Sequence, residues 1–121
     1  MPQMLRMMAK AKIHNATVTD TDLYYAGSIG IDREIMEAVD LLPDEWVMVV
    51  NCNNGARFET YVIAEPAGSR TIRLYGPCAR VGEVGDVVHI MSYCAMEEQE
   101  ARASQMKVAI LGEDNTIKES Q

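Results

Sequence analysis

A succession of short β-prone runs, each closed by a turn signal, constrains the fold of this chain more than any other feature. Residues 46–52 form an almost continuous apolar run, which is typical of a buried strand, and Asn53-Asn54-Gly55 follows it. Asn-Gly is a strong hairpin signal because both residues tolerate positive φ. From 57 to 64 the side chains alternate with a period of two, as on a returning strand. The middle of the chain therefore predicts a β-hairpin.

Similar patterns predict further strands on both sides of this hairpin. We expect them at residues 5–13, 70–75, 87–91 and 106–111, with a short β-prone piece at 17–19. Six or seven short strands favour a small closed barrel, because closure removes the exposed edges that such strands would leave. Residues 20–22 carry turn chemistry, and Gly76-Pro77 is expected to end a strand.

One clear helix is predicted among these strands, with one or two further helical turns. Residues 31–39 place Ile31, Ile35 and Val39 four apart on one face, and Asp32 is suited to cap the helix. Residues 96–104 provide the additional turns, and the polar tail from Gly112 is expected to be loose. The fold class is therefore mainly β, with one or two short helices.

Length and charge limit the function classes. The chain has 121 residues, enough for a single domain with a real core. It has 11 basic and 18 acidic residues, and a net charge of −7 argues against a nucleic-acid binder. No apolar run approaches the length of a membrane span, and no segment resembles a secretion signal, so we expect a cytoplasmic protein.

The cysteines and histidines give no metal signal. Cys52, Cys78 and Cys94 are widely spaced without a CxxC pair, and His14 and His89 are the only histidines. A structural zinc site needs four ligands at short spacings, so we predict no metal and expect free thiols in a reducing compartment.

Several polar residues lack an obvious structural explanation, yet each taken alone has an ordinary one. Lys12 and His14 can be plain strand residues, Tyr25 can be packing, and Gly27-Ser28 can be a turn. Composition and spacing do not decide between these explanations and a catalytic role. The remaining members of the set lie on the returning strand of the hairpin: Arg57, Thr60 and Tyr61.

Taken together and in order, blocks of this sequence resemble the aspartate 1-decarboxylase family over nearly the whole chain, from about Leu5 to about Asn115. The blocks are Lys12-Ile13-His14, Asp22-Leu23-Tyr24-Tyr25-Ala26-Gly27-Ser28, Ile31-Asp32, Asn54-Gly55-Ala56-Arg57-Phe58-Glu59-Thr60-Tyr61, Gly68-Ser69-Arg70 and Val84-Gly85-Asp86. The resemblance implies a double-psi β-barrel that assembles as a homotetramer with sites between subunits. It implies a pyruvoyl-dependent lyase that makes β-alanine and CO2 from L-aspartate for pantothenate synthesis.

The resemblance also implies that the precursor cleaves itself between Gly27 and Ser28. The products would be a β chain of residues 1–27 and an α chain of residues 28–121, with or without a maturation factor. Ser28 would become a covalent pyruvoyl group, whose ketone forms a Schiff base with the substrate amine. Thr60 would hold the Gly27 carbonyl during cleavage, and Tyr25 would assist processing.

Other residues acquire roles only through the same resemblance. Arg57 would grip a substrate carboxylate with help from Lys12, and Tyr61 would return a proton to the α-carbon. His14 and Tyr75 would line the pocket. The substrate would also contact the segment Gly76, Pro77, Cys78 and Ala79.

This segment departs from the family pattern and leaves the substrate open. The family usually has asparagine where this chain has Tyr75, and small residues where it has Pro77-Cys78-Ala79. One alternative is a pyruvoyl decarboxylase of the same fold that acts on a different small amino acid. Another, from a different class, is a catalytically silent barrel used for binding or assembly.

Overall fold

The predicted hairpin is present and lies inside a larger sheet. The structure, a computed structural model, describes residues 4–121. In it Val50 pairs with Arg57 and Trp46 with Tyr61 across the two antiparallel strands. Gly55 adopts a φ of +75° in the connecting turn, a conformation that favours glycine.

The described residues contain nine strands and two short α-helices. In chain order they are β1 (Leu5–Thr17), β2 (Asp20–Asp22), β3 (Ser28–Asp32), α1 (Arg33–Ala38), β4 (Trp46–Asn51), β5 (Arg57–Glu65), β6 (Ile72–Tyr75), β7 (Val87–Glu97), α2 (Glu98–Ala103), β8 (Lys107–Leu111) and β9 (Ile117–Ser120). A 3₁₀ turn at Gly76–Arg80 follows β6 directly. In residues 4–121 no helix is both long and apolar enough to cross a membrane.

All nine strands belong to one sheet that encloses a single core. Its order is β2-β6-β3-β5-β4-β7-β1-β8-β9. The pairs β1–β8, β2–β6 and β3–β5 are parallel, and the other neighbours are antiparallel. Inward residues from distant strands, such as Ile13, Ile29, Val49 and Ile90, are fully buried in one cluster. The sheet therefore curls around its own apolar face.

The two ends of this sheet are drawn together by the chain and by one buried asparagine. β1 runs into β2 through Val18 and Thr19, and the Thr19 N–H donates to the Ile72 carbonyl of β6 at 2.8 Å. Asn115 accepts from the Thr17 N–H at 2.7 Å. Its amide donates to the carbonyls of Thr17 and Arg70, each at 2.9 Å. Asn115 thus ties the end of β1 to the loops before β6 and β9.

The prediction of a mainly β fold with one or two short helices is confirmed. The strand count is nine instead of six or seven, because three strands were not predicted: β2 at the expected turn of residues 20–22, β3 at Ser28–Asp32 and β9 in the polar tail. The predicted piece at 17–19 is not a separate strand, since β1 extends to Thr17. β2 and β9 are largely exposed, so their side chains are typical of loops. Their backbones pair with β6 and β8 respectively, a contact that local sequence does not encode.

The predicted helix over residues 31–39 is present but shorter. Ile31 and Asp32 belong to β3, and α1 begins at Arg33. Asp32 caps the helix as predicted, accepting from the Glu34 N–H at 2.8 Å. The start moves because Ile31 pairs with Ala64 and Ile72 on the neighbouring strands and is fully buried there. Tertiary pairing outweighs helical periodicity at this point.

Candidate functional site

The Gly27–Ser28 bond lies where an exposed turn enters a buried strand. Ser28 opens β3 and is fully buried, whereas Tyr24 and Tyr25 just before it are 94% and 52% exposed. The Ser28 Oγ donates a long hydrogen bond of 3.4 Å to the Ala26 carbonyl. The serine hydroxyl is thus held near its own preceding backbone, on the N-terminal side of the strand.

The 3₁₀ turn packs its backbone against this bond. Gly76 has a φ of +61°, and a Cβ there would lie 2.9 Å from the Gly27 nitrogen and 3.0 Å from its Cα. Conversely, a Cβ on Gly27 would lie 3.3 Å from the Pro77 ring. Both glycines therefore permit a close backbone approach that a side chain would obstruct.

Thr60 and Cys78 meet beside Ser28. Cys78 is buried, and burial raises the pKa of its thiol. Hydrogen bonds with the Thr60 side chain and the Ser28 backbone offset part of that rise. Three predicted site residues from β3, β5 and the 3₁₀ turn are thereby brought together, with Ala79 next to them in the same turn.

Tyr25 and Tyr75 form an aromatic pair at the same place. Their ring centroids are 4.6 Å apart, with planes tilted by 42°. Tyr75 is the antiparallel partner of Ser28 in β6. Burial raises the pKa of the Tyr75 hydroxyl, and its hydrogen bond to Glu65 raises it further. The phenol is therefore neutral and acts as a hydrogen-bond donor.

Lys12 and His14 lie in a second group, on the outward side of β1. The His14 ring stacks on His89 of β7, with centroids 4.1 Å apart and planes within 9°. The His89 Nδ1 accepts the Asn15 N–H at 3.1 Å, so the neutral ring carries its proton on Nε2. That Nε2 lies 3.3 Å from the Cys52 Sγ.

Glu65 and His89 were missed by sequence analysis. His89 contacts His14 only because Ile13 pairs with Ile90 across β1 and β7. Glu65 contacts Tyr75 only because β5 and β6 flank β3 on opposite sides. No local signal in the sequence marks either residue, because each depends on strand order and register.

Arg57 and Tyr61 lie on the opposite face of β5 from Thr60. Both are exposed, whereas Thr60 is half-buried, so the alternation predicted for this strand is confirmed here. Arg57 also lies four residues before Tyr61, which is level with Ser28 because the next residues, Val62 and Ile29, are partners in the parallel strands β5 and β3. At about 3.3 Å per residue this is roughly 13 Å along the strand. Within one chain the structure does not bring Arg57 to Ser28.

The stacked histidines predict a pH dependence of folding stability. Burial and then the Lys12 charge lower the pKa of His14 below 6.5. Burial, His14 and Lys12 lower that of His89 in the same way. The unfolded chain therefore binds protons more readily than the folded chain as pH falls through 6.5. The contribution of His14 and His89 to the free energy of unfolding is therefore complete above pH 6.5 and is lost as the pH falls below it.

We therefore expect the urea midpoint of the wild type to fall between about pH 7.5 and about pH 5.5. The His89→Gln variant has one titrating ring fewer, so its urea midpoint should fall less over the same pH interval. Urea titrations of both proteins at several pH values measure this difference, with His14→Gln as the companion variant. Parallel pH profiles for the wild type and His89→Gln would contradict the assignment.

Comparison with known proteins matches the sequence to one family. The family model described as aspartate decarboxylase matches residues 4–118. The chain is 56% identical over 114 residues to aspartate 1-decarboxylase from Staphylococcus aureus strains JH9 and Newman, covering 94% of this chain and 90% of each relative. The crystal structure of the computationally designed msDPBB_sym2 protein covers 72% of this chain and 99% of its own, with 17% identity and a TM-score of 0.44.

Proposed function

This chain belongs to the aspartate decarboxylase family, and on that basis we propose that it converts L-aspartate to β-alanine and CO2. The main support is sequence identity to aspartate 1-decarboxylases across nearly the whole chain. The reaction would supply β-alanine for pantothenate and coenzyme A synthesis. The three free cysteines suit a reducing compartment, so we place the protein in the cytoplasm.

We propose that the enzyme matures by cleavage at Gly27–Ser28 into chains of residues 1–27 and 28–121, of which residues 1–3 lie outside the described part. The Ser28 Oγ attacks the Gly27 carbonyl carbon, the C–N bond breaks, and the nitrogen takes the hydroxyl proton. Loss of the Ser28 α-proton then breaks the Cβ–Oγ bond and leaves dehydroalanine. Water replaces the nitrogen, which departs as ammonia, and residue 28 becomes a pyruvoyl group.

The residues around Ser28 suit this rearrangement. An oxyanion forms at the Gly27 carbonyl and needs a hydrogen-bond donor close by. Thr60 lies near enough to contact Cys78, whose thiol also bonds the Ser28 backbone. We assign Thr60 as that donor. The Gly76 backbone packs closely against Gly27, and Tyr25 packs against Tyr75, the register partner of Ser28.

The buried position of residue 28 also suits the mature cofactor. A pyruvoyl group there would supply an electron sink for the bond that breaks when the carboxylate leaves. Gly76, Pro77, Cys78 and Ala79 would form the adjacent wall of the substrate pocket. Cys78 presents a neutral thiol to it, since burial raises its pKa.

Three further residues would act on the bound substrate: Arg57, Lys12 and Tyr61. The planar guanidinium of Arg57 can grip a carboxylate with two parallel hydrogen bonds, and Lys12 adds a second positive charge. Tyr61 would return a proton to the α-carbon. His14 would line the pocket, with its ring fixed by the stack on His89.

These residues point to a site shared between subunits. Arg57 lies four residues along β5 from the position next to Ser28, roughly 13 Å away and too far for one side chain to reach. It lies on an outward face that also exposes Trp46 and Tyr61. Such apolar side chains around a charge are typical of an interface. We therefore propose that Arg57 and Lys12 of one subunit serve Ser28 of another, within a homotetramer.

Incubation with a panel of amino acids tests the activity. The purified protein is expected to release β-alanine and CO2 from L-aspartate, and much less product from L-glutamate or L-serine. Tyr75 and Pro77 alter the pocket wall, so preference for another small amino acid is the second candidate. Absence of turnover on the whole panel by a fully cleaved protein would favour a silent barrel instead.

A further inference from the structure

One buried carboxylate lies near the cleavage site and has no role in the proposed mechanism. Glu65 ends β5 and is 7% exposed. The Tyr75 hydroxyl donates to its Oε2 at 2.6 Å. Arg73 donates to the same hydroxyl at 3.2 Å and lies 3.8 Å from the other carboxylate oxygen. Buried charges are kept only when paired in this way.

This carboxylate rests directly on the strand that begins with the cleavage serine. A Cβ on Gly30 would lie 2.8 Å from the Glu65 carboxyl carbon and would overlap one of its oxygens. Gly30 is two residues from Ser28 in β3. Glycine at position 30 therefore leaves room for the carboxylate where it lies, whereas any side chain there would displace it.

The carboxylate in turn anchors an aromatic ring opposite Ser28. Tyr75 and Ser28 are register partners, so their side chains lie on one face of the sheet. The Tyr75 ring is held at its hydroxyl end by Glu65 and packs against the tilted ring of Tyr25, with centroids 4.6 Å apart. Arg73 also contacts this ring, with its guanidinium carbon 5.6 Å from the centroid.

The turn before Ser28 has few other restraints. Tyr24 and Tyr25 are exposed, and the Ser28 hydroxyl has only a long bond to Ala26. Attack within one chain is fast only when nucleophile and carbonyl are held close in a favourable orientation. The Tyr25–Tyr75 contact is therefore a side-chain restraint on the backbone just before the bond that must break, whereas Cys78 acts on the Ser28 side.

We propose that Glu65 and Tyr75 act as a positioning pair, which holds Tyr25 against the Gly27–Ser28 bond and so sets the rate of self-cleavage. This inference rests on the proposed function, since it concerns the maturation of the same site. Neither residue supplies a group to the reaction. Arg73 balances the Glu65 charge and keeps the carboxylate available to the phenol.

Cleavage rates of single variants test the pair. Tyr75→Phe keeps the ring and removes its anchor, and Glu65→Gln replaces the charged acceptor by a neutral amide. Each is expected to slow cleavage about tenfold, as for loss of a hydrogen bond to a charged group. Freshly translated chains are followed by intact mass over time at one temperature. Tyr24→Phe is the matched control, because this exposed ring lies outside the network and should leave the rate unchanged.

A double variant separates positioning from stability. Tyr75→Phe with Glu65→Met leaves no unpaired carboxylate or phenol, so its melting temperature should return near that of the wild type. Its cleavage should remain slow, because the Tyr75 ring still lacks an anchor. A double variant that recovers both melting temperature and rate would show a purely structural role and overturn the inference.

The wild type distinguishes this inference from the function on which it rests. If the wild type cleaves and both single variants cleave as fast as it does, the positioning pair alone is refuted. Wild-type chain that never cleaves, with or without cell extract, refutes the proposed maturation and the inference together.

Discussion

Ser28→Ala is expected to yield one uncleaved chain that does not decarboxylate aspartate. Alanine has no Oγ to attack the Gly27 carbonyl, so neither the ester nor the later pyruvoyl group can form. Intact mass under denaturing conditions measures the outcome. The wild type should give a fragment of residues 1–27 and a second fragment about 17 mass units lighter than its unmodified sequence.

The control for this variant is Ser69→Ala. Ser69 is an exposed serine in the loop before β6, and its loss should leave both cleavage and turnover intact. Decarboxylation of aspartate by uncleaved Ser28→Ala would disprove the pyruvoyl assignment. Cleavage of the wild type only after addition of cell extract would show that a maturation factor is required.

Arg57→Ala is expected to leave cleavage intact and to raise the KM for aspartate about a hundredfold. The guanidinium lies on the opposite face of β5 from Thr60 and four residues along the strand from the position level with Ser28, so maturation does not need it. Loss of a charge-assisted contact to a carboxylate costs about 1.5–3 kcal/mol, which corresponds to this change. Steady-state kinetics with Arg57→Lys as a graded variant measure it. An unchanged KM would remove Arg57 from substrate binding.

Co-expression of two inactive variants tests whether subunits share the site. The Ser28→Ala variant keeps Arg57 but cannot form the pyruvoyl group. The Arg57→Ala variant can form the pyruvoyl group but lacks the guanidinium. Assemblies that contain both variants should regain part of the activity if Arg57 and Ser28 of one site come from different chains. Activity no higher than that of Arg57→Ala alone would place both residues in one chain.

Local sequence was sufficient for the elements whose signals lie within a few residues. The Asn-Gly turn fixed the hairpin between β4 and β5, and the two-residue period of β5 separated Thr60 from Arg57 and Tyr61. Asp32 caps α1 as its residue type indicates. The family blocks also marked the Gly27–Ser28 bond; of the residues in those blocks the structure places Thr60 near Ser28, whereas Lys12, His14 and Arg57 lie apart from it within one chain.

In other segments the local sequence indicates a different element from the one that the fold contains. Residues 20–22 read as a turn and Ile31 as part of a helix, yet both lie in strands. In each case a neighbouring strand supplies backbone hydrogen bonds or burial that the segment cannot provide for itself. β9 is a strand for the same reason, although its side chains are polar and mostly exposed.

The sequence alone determined the fold class, the family and the bond expected to cleave, because these depend on short patterns and on residue identity. Tertiary structure alone decided which distant side chains meet: His14 on His89, Asn115 on Thr17 and Arg70, and Tyr75 on Glu65. Such contacts depend on strand order and register across the sheet. A one-residue shift in pairing would turn each side chain to the opposite face, and no local pattern records that choice.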